Sequence, residues 1–177
     1  TEKTDGERHW LFGDADGCWL LKRTLEVARS LGVVPGIERP SVLDGELVKD
    51  AAGATLFVAF DAVRSNGEDV GALPNAPARL EAAAGAFAKF AAAEAQLGFR
   101  TLAKRYYGAD FGELRAALFP EGAAAGVFED GTRKTECDGV VLAKALDAHG
   151  YYDAVCFKYK PRVTLDVRLR FRGAPPA

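Results

Sequence analysis

Short apolar runs alternate with turn-forming residues in the first third of the chain. The turn 13–17 separates two of these runs, a pattern that predicts two strands joined by a hairpin. Asp44-Gly45 stands between two further runs, and a longer run ends at 65–67, another turn signal. The apolar runs are 8–12, 18–23, 41–43, 47–48 and 55–63. This part of the chain is therefore predicted to be mainly sheet.

The middle of the chain is rich in alanine and changes to a helical pattern. From 76 to 97, large apolar residues recur near helical spacing, which predicts one helix packed on the sheet with Phe87 and Phe90 in the core. A second, shorter helix is predicted over 111–119 and ends before Pro120. Strands are predicted again at 140–143, 154–159 and 164–171.

The bulk composition is that of one globular domain. With 177 residues and 49% apolar side chains, the chain can close a core without disulfides or a structural metal. The net charge of −2 excludes a global basic field, so any contact with RNA has to be local. The widely spaced Cys18, Cys137 and Cys156 indicate reduced intracellular thiols. No apolar stretch approaches the roughly 18 residues of a membrane helix. The absence of methionine indicates that the chain is a piece of a longer polypeptide.

Five short strings combine charged or aromatic residues with a glycine or a short apolar run. They are Lys3–Arg8, Leu43–Glu46, Phe57–Asp61, Cys137–Val140 and Lys158–Pro161. At the ends of strands, such residues form a cleft whose polar groups are held by a rigid core. For each string an ordinary structural explanation stays open: Lys3 in a solvated tail, the Asp-Gly pairs as turns, Phe60 as a core residue, and the two strand lysines on a solvated face.

The chemistry of these residues fits a lysine amine presented to an electrophile, with Arg8 placed to hold a ribose or phosphate. A lysine near its ordinary pKa of about 10.4 is protonated and cannot attack, whereas burial and neighbouring cations lower its pKa. Lys158 and Lys160 lie two apart on a predicted strand, so they share one face and would supply those cations to Lys3. Asp138 is the best candidate for a metal ligand, because a divalent ion bound to phosphates needs only one or two carboxylates.

The order of these strings resembles the covalent nucleotidyltransferase superfamily, which contains the mRNA-capping guanylyltransferases and the ATP-dependent DNA and RNA ligases. The resemblance extends over nearly the full chain. It implies an α+β fold of two mostly antiparallel sheets, with outer helices and a central nucleotide cleft. Residues 1–172 would form the nucleotidyltransferase domain and 173–177 an exit linker, with a C-terminal OB-fold domain absent from this chain.

Two strings resemble the capping enzymes more than the ligases. Cys137-Asp-Gly-Val-Val141 matches their Asp-Gly-hydrophobic motif, and Phe157-Lys-Tyr-Lys-Pro161 followed by Thr164-Leu-Asp166 matches their lysine motif, although with a shortened spacer. The string Leu20–Arg23 departs from the family, with Lys22 where the capping enzymes carry Asp. That departure weakens the assignment of Arg23 to a phosphate.

The resemblance implies a role for each of these residues. Lys3 would be the nucleophile that attacks the α-phosphorus and expels pyrophosphate, assisted by Lys158 and Lys160. Asp138 and Glu46 would hold Mg²⁺ or Mn²⁺. The residues expected to bind the nucleotide GTP are Thr4, Arg8, Arg23, Glu46, Phe60, Lys104, Lys158, Lys160 and Asp166. Among these, Phe60 would stack on the purine and Lys104 would read guanine.

The implied activity is mRNA capping. GMP from GTP would pass through a lysyl-GMP intermediate to the 5′-diphosphate end of RNA. The implied partners are an OB-fold domain of the full-length protein, an RNA triphosphatase and a methyltransferase, and no membrane is implied. The location would be the nucleus, or a cytoplasmic factory if the source is a large DNA virus. Two other functions stay open: an ATP-dependent ligase, and a relative that binds nucleotide or RNA without catalysis. A fragment inactivated by truncation is a further alternative.

Overall fold

The computed structural model describes residues 1–108, 111–119, 126–129, 134–142 and 157–160. Within these ranges the chain is a mixed α/β protein with one seven-stranded and one four-stranded sheet, both mostly antiparallel. The elements in chain order are β1 (Glu2–Thr4), β2 (Glu7–Asp14), β3 (Gly17–Lys22), β4 (Val27–Gly32), β5 (Ser41–Lys49), β6 (Thr55–Ser65), β7 (Glu68–Asp69), α1 (Ala76–Ala82), α2 (Ala84–Ala92), α3 (Glu94–Leu97), β8 (Arg100–Ala103), α4 (Phe111–Leu118), β9 (Gly126–Glu129), β10 (Lys134–Leu142) and β11 (Phe157–Tyr159).

The larger sheet has the strand order β4-β3-β2-β5-β6-β7, and β8 pairs with β6 in parallel. The predicted hairpin is confirmed as β2 and β3, whose turn is closed by hydrogen bonds from the backbone N–H groups of Asp16 and Gly17 to Asp14 Oδ1 at 2.9 and 3.2 Å. Buried and half-buried residues alternate along β2. At β2, one face of the sheet therefore packs in the core, and the other face carries residues of the site described below.

The pair Asp44-Gly45 is not a turn, because it lies inside β5. The two apolar runs on either side of it belong to this one strand. A Cβ at Gly45 would approach the ring of Phe57 to 2.7 Å and the carbonyl oxygen of Val58 to 2.8 Å. Glycine is thus required at this position for close contact with β6, and the sequence pattern was wrong to suggest an interruption.

The single helix predicted over 76–97 is divided into α1, α2 and α3. Asn75 caps α1 by accepting a hydrogen bond from the Ala78 N–H at 2.9 Å. The chain turns at Ala83 and again at Ala93, where helix geometry is lost. These turns let the apolar residues of all three short helices reach the same core, so packing overrides the helix propensity of the alanine run.

The main core lies between the larger sheet and these helices. Phe57 and Phe90 are fully buried in it and Phe87 is partly buried against it, which confirms the core positions predicted for Phe87 and Phe90. Arg79 on α1 is buried and forms two hydrogen bonds to Asp61 on β6, from Nε at 2.6 Å and from an NH group at 2.8 Å. This ion pair fixes α1 against β6.

The smaller sheet has the order β1-β10-β11. The fourth strand, β9, pairs with the first part of β10, from Lys134 to Cys137. Its core is small and includes Phe128 and Val140, packed against α4. The predicted strands 140–143 and 154–159 correspond in part to β10 and β11. The predicted strand 164–171, the tail 173–177 and Asp166 lie outside the described residues. Among the helices that the structure describes, none is long and apolar enough to cross a membrane.

Candidate functional site

Lys3, Asp138 and Lys160 meet in one ion cluster although they are far apart in the sequence. Lys3 Nζ donates a hydrogen bond to Asp138 Oδ1 at 2.7 Å, and Lys160 Nζ lies 2.7 Å from Asp138 Oδ2. The residues come from β1, from β10 and from the position directly after β11, and these strands are neighbours in the smaller sheet. We call these three residues the lysine–aspartate cluster.

A register shift directs Asp138 into the lysine–aspartate cluster. Lys3 pairs with Gly139 and Thr4 pairs with Cys137, so Asp138 is an extra residue on β10. Such bulges redirect a side chain and are frequent beside active sites. A Cβ at Gly139 would collide with the backbone carbonyl of Tyr159. The second Asp-Gly pair therefore also serves close strand pairing and is not a turn.

The Asp138 carboxylate is held in its ionised form. Partial burial raises its pKa, but hydrogen bonds and positive charge from Lys160 and Lys3 outweigh burial, so the pKa lies below its ordinary value of 3.8. The sequence predicts cations beside Lys3, and the structure adds the anion that joins them. Lys3 is bound here as an ammonium donor, so its amine has to leave Asp138 before it can act as a nucleophile.

Lys158 on β11 and Lys160 directly after it stand on either side of Tyr159. Tyr159 between them packs on α4, with its ring centroid 5.2 Å from that of Phe111 and its hydroxyl accepting a hydrogen bond from Arg115 at 3.0 Å. Both lysines are exposed. Of the two, Lys160 is the one whose ammonium contacts Asp138.

Thr4 and Glu46 connect the two sheets next to the lysine–aspartate cluster. The Thr4 hydroxyl donates a hydrogen bond to Glu46 Oε2. The Nζ atom of Lys104 lies 3.9 Å from the same Glu46 oxygen and donates a hydrogen bond to the carbonyl of Glu2 at 3.2 Å. Lys104 is buried, and these two oxygens compensate for the removal of its ammonium group from water.

Arg8 forms the next part of the wall. Its Nε atom and one NH group donate to the two carboxylate oxygens of Asp44 at 3.0 and 2.5 Å, while the Asp44 side chain is only 1% exposed. This two-bond geometry fixes the plane of the guanidinium. A third of the Arg8 side chain remains exposed, at 34%. Arg8 is thus a positioned cation that still faces the open side of the sheet.

Phe60 lies between the two cations Arg8 and Lys104. The Arg8 guanidinium carbon is 5.4 Å and Lys104 Nζ is 5.7 Å from the centroid of its ring. Asp44 pairs with Asp61 and Gly45 pairs with Ala59, so Phe60 is an extra residue on β6 at a second register shift. Phe60 is half-buried, whereas Phe57 is fully buried in the main core.

The structure does not bring every predicted residue to this site. Arg23 is exposed in the turn that follows β3, and no contact with the site residues is found for it in the described part of the chain. Conversely, sequence reasoning missed Asp44 and Tyr106. Asp44 could have been found, because it lies two residues before Glu46 on a strand and so shares its face. Tyr106, which donates a hydrogen bond from its hydroxyl to the Phe60 carbonyl at 2.7 Å, carries no such signal.

The carboxylates of the site are few. Among the described residues, no group of three or more His, Cys, Asp or Glu side chains could hold a metal ion. Asp138 and Glu46 belong to different sheets, and each is bound to cations or hydroxyls of the site. This donor set fits an ion that takes most of its ligands from phosphates and water, and it does not fit a structural metal enclosed by protein.

No protein-family model matches the chain. The chain is 36% identical over 70 residues to a probable mRNA-capping enzyme of Acanthamoeba polyphaga mimivirus. This stretch covers 39% of the chain and 6% of the length of the viral protein, so the match is partial and distant. The chain is thus similar to a small part of that viral protein.

Proposed function

We propose that this chain is the nucleotidyltransferase part of an mRNA-capping guanylyltransferase, with the corresponding two-sheet fold and Lys3 as the nucleophile. The observation that carries the proposal is the lysine–aspartate cluster, in which Lys3 and Lys160 converge on Asp138. Partial similarity to a viral capping enzyme supports the same class of reaction. The match covers a small fraction of that protein, so the activity of the whole is part of the proposal.

The proposed first step joins GMP to the protein. The Lys3 ammonium loses a proton to solvent, and the neutral amine forms a bond to the α-phosphorus of GTP while the bond to the pyrophosphate oxygen breaks. The nitrogen then releases its second proton to solvent. The products are a lysyl-GMP phosphoramide and pyrophosphate. In the second step, a terminal phosphate oxygen of a 5′-diphosphate RNA end forms a bond to the phosphorus of the GMP while the P–N bond to Lys3 breaks. The lysine nitrogen takes up a proton from solvent as it leaves as the amine.

The residues of the site have separate tasks in this proposal. Lys160 stabilises negative charge on the transferring phosphate, and Arg8 contacts the ribose or a phosphate. The Phe60 ring covers the purine, and Lys104 supplies a positive group toward the acceptor edge of guanine. Asp138 and Glu46 would hold Mg²⁺ or Mn²⁺, which neutralises phosphate charge when bound.

The test is covalent labelling. The protein is incubated with α-labelled GTP or α-labelled ATP and a divalent metal, and denatured before gel separation. We expect label from GTP, stable to heat and lost in Lys3→Ala. The matched control is Lys134→Ala, which removes an exposed lysine on β10 whose Nζ lies 3.1 Å from Glu129 Oε2. Lys134→Ala should label as well as the unchanged protein.

Each other outcome identifies a different function. Label from ATP and not from GTP would indicate a ligase-type adenylation domain. A rise in melting temperature with GTP but no adduct would indicate a relative that binds nucleotide without catalysis. Equal labelling of Lys3→Ala and the unchanged protein would show that Lys3 is not the nucleophile.

A further inference from the structure

Three aromatic rings stand together on the open face of the larger sheet. Trp10 and Phe12 are two residues apart on β2 and so share a face, and Phe12 pairs across the hairpin with Trp19 on β3. The ring centroids of Phe12 and Trp19 are 5.5 Å apart, with an angle of 31° between the ring planes. We call Trp10, Phe12 and Trp19 the aromatic stripe.

The main core does not use the aromatic stripe. The alternate residues Leu11, Cys18 and Leu20 of the same two strands are buried under the helices. The three rings of the stripe are only half-buried, and they include both tryptophans of the chain. Partly exposed ring faces of this size are characteristic of binding surfaces, because a planar partner can still cover them.

The aromatic stripe begins at the wall of the candidate site. The Arg8 guanidinium carbon lies 5.7 Å from the Trp10 ring centroid and 5.4 Å from that of Phe60. In the sheet, Arg8 pairs with Glu46 and Trp10 pairs with Asp44. The site residues and the aromatic stripe therefore lie on the same face of the larger sheet. A polymer whose end enters the site can therefore continue along β2 towards β3 without leaving this surface.

We infer that the aromatic stripe binds the first nucleotides of single-stranded RNA, whose bases stack on its rings. The inference rests on the proposed function, because only an RNA acceptor has to bring its 5′ end to Lys3. Aromatic faces accept any base, which suits an enzyme that modifies transcripts of every sequence. The protein carries a net charge of −2, so base stacking and local cations such as Arg8 have to replace a general basic field.

The two tryptophans make the inference directly measurable. Intrinsic tryptophan fluorescence is recorded while a ten-nucleotide single-stranded RNA with a 5′-diphosphate is added in the absence of GTP. The matched probe is an abasic oligonucleotide with the same phosphates. We expect saturable quenching by the RNA and at least tenfold weaker quenching by the abasic probe. Equal quenching by both probes, or none by the RNA, would overturn the inference.

Variants test the stripe without touching the covalent chemistry. Trp19→Leu should weaken RNA binding by about tenfold, the lower part of the range for one stacked base, while the yield of the lysyl-nucleotide adduct stays unchanged. Trp19→Phe should restore most of the RNA affinity. Phe87→Leu makes a similar change on the helix layer, where Phe87 packs against the main core, and should leave RNA affinity unchanged.

The outcomes separate this inference from the proposed function. An adduct in the unchanged protein without base-dependent quenching would refute the stripe and leave the function standing. Base-dependent quenching without any adduct would support the stripe and refute the function. Should Trp19→Leu fail to fold, the comparison of RNA with the abasic probe on the unchanged protein still decides. RNA affinity unaltered by a folded Trp19→Leu would place the RNA elsewhere.

Discussion

Tyr106 positions the Phe60 ring through the backbone. Phe60 is the extra residue at a register shift, and its carbonyl accepts the hydrogen bond of the Tyr106 hydroxyl at 2.7 Å. The backbone N–H of Lys104 donates to the neighbouring Ala59 carbonyl at 2.6 Å. The segment after β8 is therefore attached to β6 on both sides of the bulge, which sets the direction of the ring.

We expect Tyr106→Phe to weaken nucleotide binding and to spare the chemistry. The aromatic ring of residue 106 remains packed, and only one hydrogen bond is lost, worth roughly 1 kcal/mol. KM for GTP in adduct formation should rise a few-fold while kcat changes by less than twofold. Tyr107→Phe, at the next and more exposed tyrosine, is the control. A fall in kcat with unchanged KM would exclude the positioning role.

Asp138 should make stability depend on pH in the acid range. Because its pKa is lowered in the folded protein, its contribution is complete above the ordinary value of 3.8 and is lost as the pH falls through the lower folded value. We expect Asp138→Asn to reduce the unfolding free energy at pH 7 by roughly 1 kcal/mol, as for partly exposed ion pairs.

Urea unfolding of both proteins between pH 7 and about pH 3 measures this contribution. The difference between the unchanged protein and Asp138→Asn should be constant down to about pH 4 and then shrink. Other carboxylates titrate in both proteins and cancel in the difference. A difference that grows on acidification would contradict the lowered pKa.

At the scale of strands, the sequence predicts that a strand exists better than it predicts where that strand begins, ends or is interrupted. The alternation of β2 and β3 and the long run of β6 are visible in the sequence, and the structure confirms them. Asp44-Gly45 and Asp138-Gly139 have the composition of turns, yet both lie within strands. Composition cannot show this, because the glycines are fixed by contacts with a neighbouring strand that is distant in sequence.

Gly139 offers a sharp test of that explanation. In Gly139→Ala the added Cβ would collide with the Tyr159 carbonyl, so β10 and β11 have to separate and Lys160 moves away from Asp138. We expect a loss of roughly 1–3 kcal/mol in unfolding free energy, the usual cost of overpacking. Adduct formation should fall as well, because Lys160 loses its position.

The matched change is Gly108→Ala, where an added Cβ has no neighbour within 4 Å. Thermal unfolding of Gly108→Ala should match the unchanged protein within experimental error. If Gly139→Ala were equally neutral, the glycine of the second Asp-Gly pair would have no role in strand pairing.

At the scale of the whole molecule, the candidate site lies where two separately packed sheets meet. Phe90 and Leu11 belong to the large core of one sheet, and Phe128 belongs to the small core of the other. The described links between the sheets include the Thr4–Glu46 hydrogen bond and the one from Lys104 to the Glu2 carbonyl. The individual strings are visible in the sequence, but their convergence depends on this pairing of sheets, which no local pattern reveals.

This organisation predicts unequal local stability. A strand held by few buried apolar contacts opens more readily than one in a large core, so we expect amides of β10 to exchange with deuterium faster than those of β5 and β6. GTP contacts groups of both sheets in the proposed function, and should therefore slow exchange in β10 more than in β5. Hydrogen-exchange mass spectrometry with and without GTP measures both effects, and Asp138→Asn should reduce the protection of β10 by GTP. Equal protection of the two sheets by GTP would mean that the nucleotide does not join them, and would move the binding site away from the lysine–aspartate cluster.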